Sequence, residues 1–273
     1  MMFILYFRMA RYRAEAVLQY RVDFIIGMLG VLLQQVVTVL TITIIMNGVP
    51  SLYGFSKYEI FLIMGITQLV RGIDMAYNDY IWVEAFGGFS GGSLLEYMTK
   101  PRPIYFQIIC KRLNVQGIGT MLVGLSLILV SIKKLQIEWG GIDSLLLFGF
   151  IIQALTILFS IKLITSSFAL WFGRSGQLMQ IVHELLSFVV YPINIFPLAL
   201  QTLLTTFIPF ALIAYVPSLY WLSDVPLPDM YIFKELSKIE VIFIYSPVIT
   251  VLFLTLAVGL WRLGLSRATI TGT

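Results

Sequence analysis

Long apolar runs with very few charges constrain this chain more than any other feature of its sequence. The hydrocarbon core of a bilayer is about 30 Å thick, so a helix that crosses it needs about 20 consecutive apolar residues. Runs of that length recur along the chain, in which 59% of the 273 residues are hydrophobic and only 12% are charged. A soluble domain carries about twice that share of charge. The sequence therefore predicts an all-α integral membrane protein.

Six of these runs are predicted to be transmembrane helices, and together they form a single membrane domain over residues 1–273. The second run passes from YEIFLIMGITQLV into the more polar RGIDMAYNDYIWVE, so we expect it to project beyond the membrane surface. The sequence shows no internal repeat of fixed period and no soluble domain, which favours one membrane domain. The predicted spans lie at about 22–46, 58–83, 113–132, 144–171, 178–196 and 241–261.

Two further segments are predicted to lie along or within the membrane without crossing it. Residues 3–19 place apolar side chains on one helical face and Arg8 and Arg11 on another, which is typical of an amphipathic interfacial helix. Residues 197–220 are apolar enough to span, but Pro197, Pro209 and Pro217 interrupt them. Proline breaks helices, so we expect a broken re-entrant segment of two short helices before the last span.

The positive-inside rule predicts that both termini are cytoplasmic. With six spans, the far side of the membrane collects Lys57, Lys133, Lys134, Lys234 and Lys238. The cytoplasmic side collects the larger set, namely Arg8, Arg11, Arg13, Arg21, Lys100, Arg102, Lys111, Arg112, Arg174, Arg262 and Arg267.

The glycine-rich stretch AFGGFSGGSLLEYMTKPRP, residues 85–103, lies between the second and third predicted spans. A phosphate-binding loop requires a lysine and a hydroxyl directly after its last glycine, and here no lysine occurs before Lys100. The stretch instead predicts a flexible hinge followed by a short helix, with Ser93 and Glu96 spaced as a capping box. We expect this helix to expose Glu96, Tyr97, Lys100 and Arg102, unless the stretch is only a turn that joins two spans.

These features together resemble the permease subunit of a type-2 ABC exporter. The resemblance is carried by the interfacial segment, the six spans, a G-x-L segment followed by Lys100-Pro101, and the proline-rich YPINIFP…IPFALIAYVPS before the last span. Within that family the chain looks most like drug-exporter-like permeases related to daunorubicin and viologen exporters. The resemblance covers nearly the whole chain.

The resemblance implies that residues 86–104 form a cytoplasmic coupling segment for a separate ABC ATP-binding subunit, present in two copies. It further implies a second permease, either identical or paralogous, in the plasma membrane. ATP and Mg would be bound by the partner ATPase, with no cofactor on this chain. The coupling positions implied are Gly92, Leu95, Glu96, Tyr97, Lys100, Pro101 and Arg102.

Polar residues inside the predicted spans are candidates for the translocation pathway, because charge within a membrane is costly and faces a cavity or a partner. Arg71, Asp74 and Asn78 follow one face of the second span, where they either line a path or form an internal salt bridge. Gln34 and Gln35 in the first span either line a path or hydrogen-bond to a neighbouring helix. Lys162 is expected to snorkel to the headgroups.

Two other classes of transporter stay open at this point. An ion-coupled secondary transporter would use Arg71 and Asp74, and an importer component driven by a similar ATPase would share the same general sequence pattern. An intramembrane enzyme is disfavoured, because His183 and Cys110 are the single histidine and cysteine and no H-E-x-x-H motif occurs. We expect no catalytic site, no metal site and, with a net charge of only +4, no nucleic-acid partner.

Overall fold

The computed structural model of the protein describes residues 12, 21–49, 51–87, 89, 93–111, 114, 116–173, 175–222, 225, 227–228 and 233–267. Within these ranges the regular structure is helical, apart from one β-bridge between Leu52 and Phe55. The prediction of an all-helical chain is confirmed for this part of the protein. The predicted interfacial helix at 3–19 lies outside the described residues, except for Tyr12.

The helices follow one another as α1 (Arg21–Gly48), α2 (Lys57–Asn78), α3 (Tyr80–Phe86), α4 (Ser93–Met98), α5 (Ile104–Ile109), α6 (Gln116–Lys134), α7 (Gly141–Phe172), α8 (Gly176–Leu186), α9 (Leu198–Thr202), α10 (Tyr215–Ser218), α11 (Lys238–Glu240) and α12 (Ser246–Arg267). Short 3-10 or π turns extend several of them, at Ser187–Val190 after α8, Leu203–Phe207 after α9, Phe210–Leu212 before α10, and Val241–Tyr245 between α11 and α12.

Five helical segments of the described chain are long and apolar enough to cross a membrane. The longest, α7, has 32 residues and is therefore about 48 Å long, well beyond the hydrocarbon core. Side-chain contacts fix where two of them begin: the carboxylate of Glu59 accepts from the Ser56 amide at 2.6 Å, and that of Asp143 from the Gly140 amide at 2.8 Å. The five segments are Ile25–Gly48, Lys57–Asn78, Gln116–Lys134, Gly141–Phe172 and Lys238–Arg267, so five of the six predicted spans are confirmed as membrane-length helices.

The predicted fifth span at 178–196 is not a full-length helix. Its helical part runs from Gly176 to Val190, which is shorter than the length that a bilayer requires. The helix ends because Tyr191 precedes Pro192 and adopts an extended conformation, with φ −107° and ψ 150°. A residue before proline is disfavoured in the helical region, since the proline ring crowds its backbone.

The proline-rich segment forms two short helices, as predicted for 197–220. The first covers Leu198–Phe207 and the second Phe210–Ser218, and they meet at an angle of 71° around Pro209. If this bent pair is counted as one span, six segments of the described chain are long and apolar enough to cross a membrane.

The second long helix, α2, lies at the centre of the bundle. In the apolar stretch of α2 that could span a membrane, 72% of the residues are buried. In the corresponding stretch of α1 only 11% are buried, so α1 is peripheral. Helix α2 packs very closely against α6 through glycines: a Cβ atom added to Gly124 would lie 2.4 Å from the Leu69 backbone nitrogen, and one added to Gly117 would lie 2.4 Å from the Gly72 carbonyl oxygen. Small residues of this kind allow two membrane helices to approach backbone to backbone.

Candidate functional site

Residues 93–111, which we call the connector, comprise α4, a proline-containing loop and α5. They lie at the end of the bundle where α2 leads into α3 and where α6 begins. A small hydrophobic core holds the connector there, in which Tyr97 and Ile108 pack with Ile81 and Ala85 of α3 and with Leu163 of α7. The connector is therefore seated against the ends of the long helices.

One face of α4, together with the residues that directly follow it, forms an exposed ridge. Leu95 and Met98 are 45% and 43% exposed, and Pro101 is also exposed. Lys100 Nζ donates to Glu96 Oε1 at 2.7 Å, with about half of each side chain in contact with solvent. The hydrogen bond from Lys100 holds the pKa of the Glu96 carboxyl below its ordinary value. The ridge thus combines apolar surface with a paired anion and cation.

The opposite face of α4 is buried through Tyr97, so the prediction that Tyr97 is exposed was wrong. The ring is 2% exposed, and its hydroxyl donates to Glu84 Oε1 at 2.8 Å. Lys111 Nζ donates to both groups, at 2.8 Å to the Tyr97 hydroxyl and at 2.9 Å to Glu84. Adjacent helical residues point about 100° apart, so Glu96 can face outward while Tyr97 faces the bundle.

Electrostatics reinforce this Glu84–Tyr97–Lys111 triad. The bonds to Tyr97 and to Glu84 raise the pKa of Lys111 above its ordinary value, so the ammonium form is favoured. Burial raises the pKa of Tyr97, so its hydroxyl stays protonated and can donate to Glu84. The triad therefore ties α4 from behind to α3.

The loop that follows α4 is closed by one amide side chain. Gln107 Nε2 donates to the backbone carbonyls of Tyr97 and Arg102, both at 2.8 Å. Arg102 itself is half-buried and not fully exposed as the sequence suggested. Gly92 lies outside the described residues, as does the side chain of Ser93, so the predicted capping box stays a prediction.

A second group of polar residues lies deeper in the bundle and consists of Asp74, Asn78, Asp79, Tyr105 and Lys162; we call it the Lys162 cluster. Lys162 Nζ lies 2.6 Å from Asp74 Oδ2 and 2.7 Å from Asp79 Oδ1. Lys162 is 2% exposed and Asp74 3%, whereas the side chain of Asp79 is 33% exposed. The expectation that Lys162 snorkels to the headgroups was wrong, because two carboxylates at the end of α2 pair with it.

Asn78 connects this ion pair to the connector. Its Nδ2 donates to Asp74 Oδ1 at 2.8 Å, and its Oδ1 accepts a hydrogen bond from the Tyr105 hydroxyl on α5. The ring of Tyr105 also packs edge-on against Phe159 of α7, with 4.8 Å between ring centroids. The Lys162 cluster therefore joins α2, α5 and α7.

Aromatic and amide groups complete the surroundings of Lys162. Its ammonium lies 5.0 Å from the ring centre of Trp82, whose indole N–H donates to the Thr165 hydroxyl at 3.0 Å. Asn114 Nδ2 donates to the second oxygen of Asp79 at 3.4 Å. Since each charged group here has protein partners, the cost of burying it is offset.

The remaining pathway candidates occupy different environments. Among the described residues Asp74 pairs with Lys162 rather than with Arg71, which is only partly buried. Gln35 is buried, and its Oε1 accepts from Gln68 Nε2 at 2.6 Å, so it links α1 to α2. Gln34 is exposed on α1. Outside the Lys162 cluster, the polar candidates therefore range from exposed (Gln34) through partly buried (Arg71) to buried (Gln35).

Sequence reasoning missed Glu84, Asp79, Tyr105 and the pairing of Lys162. A lysine well inside a long apolar helix was a usable signal, since a buried cation requires an anion. In the part of the chain that is described, no three His, Cys, Asp or Glu side chains come together in a way that would hold a metal ion.

Comparison with known proteins gives one match. A family model described as "ABC-2 family transporter protein" matches residues 32–272, which is most of the chain and includes both the connector and the Lys162 cluster. No curated protein and no solved structure matches significantly.

Proposed function

The chain belongs to the ABC-2 family of transporter proteins, and on that premise we propose that it is the membrane-spanning permease subunit of an ATP-driven exporter of the drug-exporter-like branch. The family match over residues 32–272 is the observation that carries this proposal. It favours ATP-driven transport over an ion-coupled mechanism, and Asp74, the carboxylate that such a mechanism would use, is paired with Lys162.

The exposed ridge of α4 is the proposed docking surface for the ATP-binding subunit. Leu95 and Met98 supply apolar contact area, and Glu96 and Lys100 supply charges of both signs beside it. A docking element must transmit force, and the Glu84–Tyr97–Lys111 triad holds α4 against α3. In this arrangement Tyr97 acts as an anchor of the segment, while Leu95, Glu96, Lys100 and Pro101 contact the partner. Gly92 and Arg102 complete the proposed coupling positions.

The complete transporter would contain two ATP-binding subunits and two permeases, the second permease being identical or paralogous. ATP and Mg would be bound by the partner subunits in the cytoplasm, on the same side as the connector. With the bent pair counted as the sixth span, both termini would also lie in the cytoplasm, and the bundle would lie in the plasma membrane. The peripheral helix α1 exposes Leu29, Leu33 and Leu40, an apolar surface suited to lipid or to the second permease. Gln34 and Arg71 are the proposed polar positions of the pathway. Gln35 is buried and bonded to Gln68, so its proposed role is to join α1 to α2.

Charge reversal on the ridge tests this proposal. In liposomes containing the permease and its ATPase, Glu96→Lys should lower permease-stimulated ATP hydrolysis and leave the folded yield unchanged, because the side chain is exposed. Lys134→Glu is the matched control, since Lys134 is exposed at the opposite end of α6. Equal ATPase stimulation in wild type and Glu96→Lys would place the docking surface elsewhere.

A further inference from the structure

We propose that the Lys162 cluster is the mechanical link between the connector and α7, and that Asp74, Asn78, Tyr105 and Lys162 are positioning residues and not substrate contacts. This inference rests on the proposed function, because it assumes that an ATPase moves the connector. It concerns residues that the docking surface does not include.

The burial of the cluster argues against contact with a passing substrate. Asn78 is 0% exposed, Lys162 2% and Asp74 3%. Both oxygens of Asp74 are occupied, one by Asn78 and the other by Lys162. A pathway residue needs a polar atom that faces a cavity, whereas these atoms face one another.

The contacts of the cluster form a continuous route from the connector to α7. The Tyr105 hydroxyl on α5 bonds to Asn78 on α2, Asn78 bonds to Asp74 one turn earlier, and Asp74 pairs with Lys162 on α7. The Tyr105 ring adds a direct contact with Phe159 of α7. A displacement of the connector therefore acts on α2 and α7 together.

The triad of Glu84, Tyr97 and Lys111 provides the second attachment of the connector. It holds α4 to α3, and α3 follows α2 directly through Asp79. The connector is thus fixed at both of its helices, so movement of the exposed ridge cannot be absorbed by α4 alone.

Asp79 can exchange its contact with Lys162 for contact with water. It lies between α2 and α3, its side chain is one-third exposed, and it shares Lys162 with the fully buried Asp74. Water can solvate Asp79 if α3 moves away, whereas Asp74 has no such alternative. Buried ion pairs contribute little net stability compared with apolar packing. The cluster is therefore better explained by a switch between two defined sets of contacts than by a contribution to stability.

The test uses the complete permease–ATPase complex in nanodiscs and three readouts: the amount of assembled complex, its melting temperature, and ATP hydrolysis per assembled complex relative to free ATPase. The principal variant is the double substitution Lys162→Met with Asp74→Asn, which removes both fully buried charges. Asp79 also loses its cation in this variant, but its side chain is one-third exposed and water can solvate it. Tyr105→Phe removes only the hydroxyl that bonds to Asn78. The matched controls are Lys134→Met and Tyr53→Phe, whose side chains are exposed away from the cluster.

We expect the double variant to assemble like wild type and to lose at least about fivefold in ATPase stimulation per complex, the lower end of coupling between distant sites. Tyr105→Phe should fall between the double variant and wild type, and both controls should match wild type. Full stimulation in the double variant overturns the inference, as does a lower melting temperature with unchanged stimulation per complex. If wild-type permease neither binds nor stimulates an ATPase, the proposed function fails first and this inference fails with it.

Discussion

Adding one methyl group at Gly124 should destabilise the protein measurably, because α2 and α6 touch there backbone to backbone. The new Cβ would lie 2.4 Å from the Leu69 nitrogen and 2.8 Å from the Gly65 carbonyl oxygen, where ordinary contact begins at 3.4 Å. The two helices must therefore separate by about 1 Å, which forfeits a quarter to a half of the dispersion energy of each contact along the seam. Overpacking of this kind costs about 1–3 kcal/mol, and rigid backbone on both sides favours the upper end.

The assay is thermal unfolding of the purified protein in mild detergent. A loss of 2–3 kcal/mol corresponds to a melting temperature lower by roughly 4–10 °C for a chain of this size. The matched control is Gly149→Ala in α7, where an added Cβ has no neighbour within 4 Å. There the better helix propensity of alanine should leave stability unchanged or raise it by up to about 1 kcal/mol. Gly124→Ala melting at the same temperature as Gly149→Ala would refute the close approach of α2 and α6.

Three further outcomes are expected. Lys162→Met alone leaves Asp74 buried without its cation and should lower the free energy of unfolding by about 3–5 kcal/mol. Adding Asp74→Asn should restore most of that loss. An equal loss in the single and double variants would contradict the ion pairing. The pKa of Lys111 is raised in the folded protein, so the stability that this residue contributes is complete below its ordinary pKa and is lost only as pH rises through the folded value. Hydrogen-exchange protection of α4 should therefore persist to about pH 10 in wild type and disappear at neutral pH in Lys111→Met. Wild-type protection that declines from pH 8 upward would refute this. In a double-mutant cycle of Gln35→Leu and Gln68→Leu followed by thermal unfolding, the hydrogen bond between the two amides should show a coupling energy of about 0.6 kcal/mol. A coupling energy several times larger would mean that the pair does more than join α1 to α2.

The long helices could be predicted from the sequence because their signal is local. A charge-poor run of sufficient length, such as Gly141–Phe172, must form internal backbone hydrogen bonds wherever it meets lipid. The predicted span at 178–196 failed because its apolar composition continues past Tyr191, where Pro192 ends the helix. Composition measures affinity for the bilayer, whereas the backbone at a proline decides where a helix ends.

The candidate site was only partly predictable for a different physical reason. The exposure of Glu96 and Lys100 follows from helical spacing, so it could be inferred from α4 alone. The burial of Tyr97 depends on Glu84 and Lys111, which come from outside that helix. Likewise Lys162 pairs with an aspartate that lies 83 residues away in the chain, and no local pattern encodes such a contact.

Purification from the native membrane shows whether this chain works with a separate ATPase. The tagged protein would be extracted in mild detergent, checked for folding by its melting transition, and its bound polypeptides identified by mass spectrometry. We expect a polypeptide with a phosphate-binding loop and an ABC signature to co-purify, and Glu96→Lys in the ridge to reduce its amount. Folded protein that is repeatedly recovered without any ATPase would contradict a role as an ABC permease.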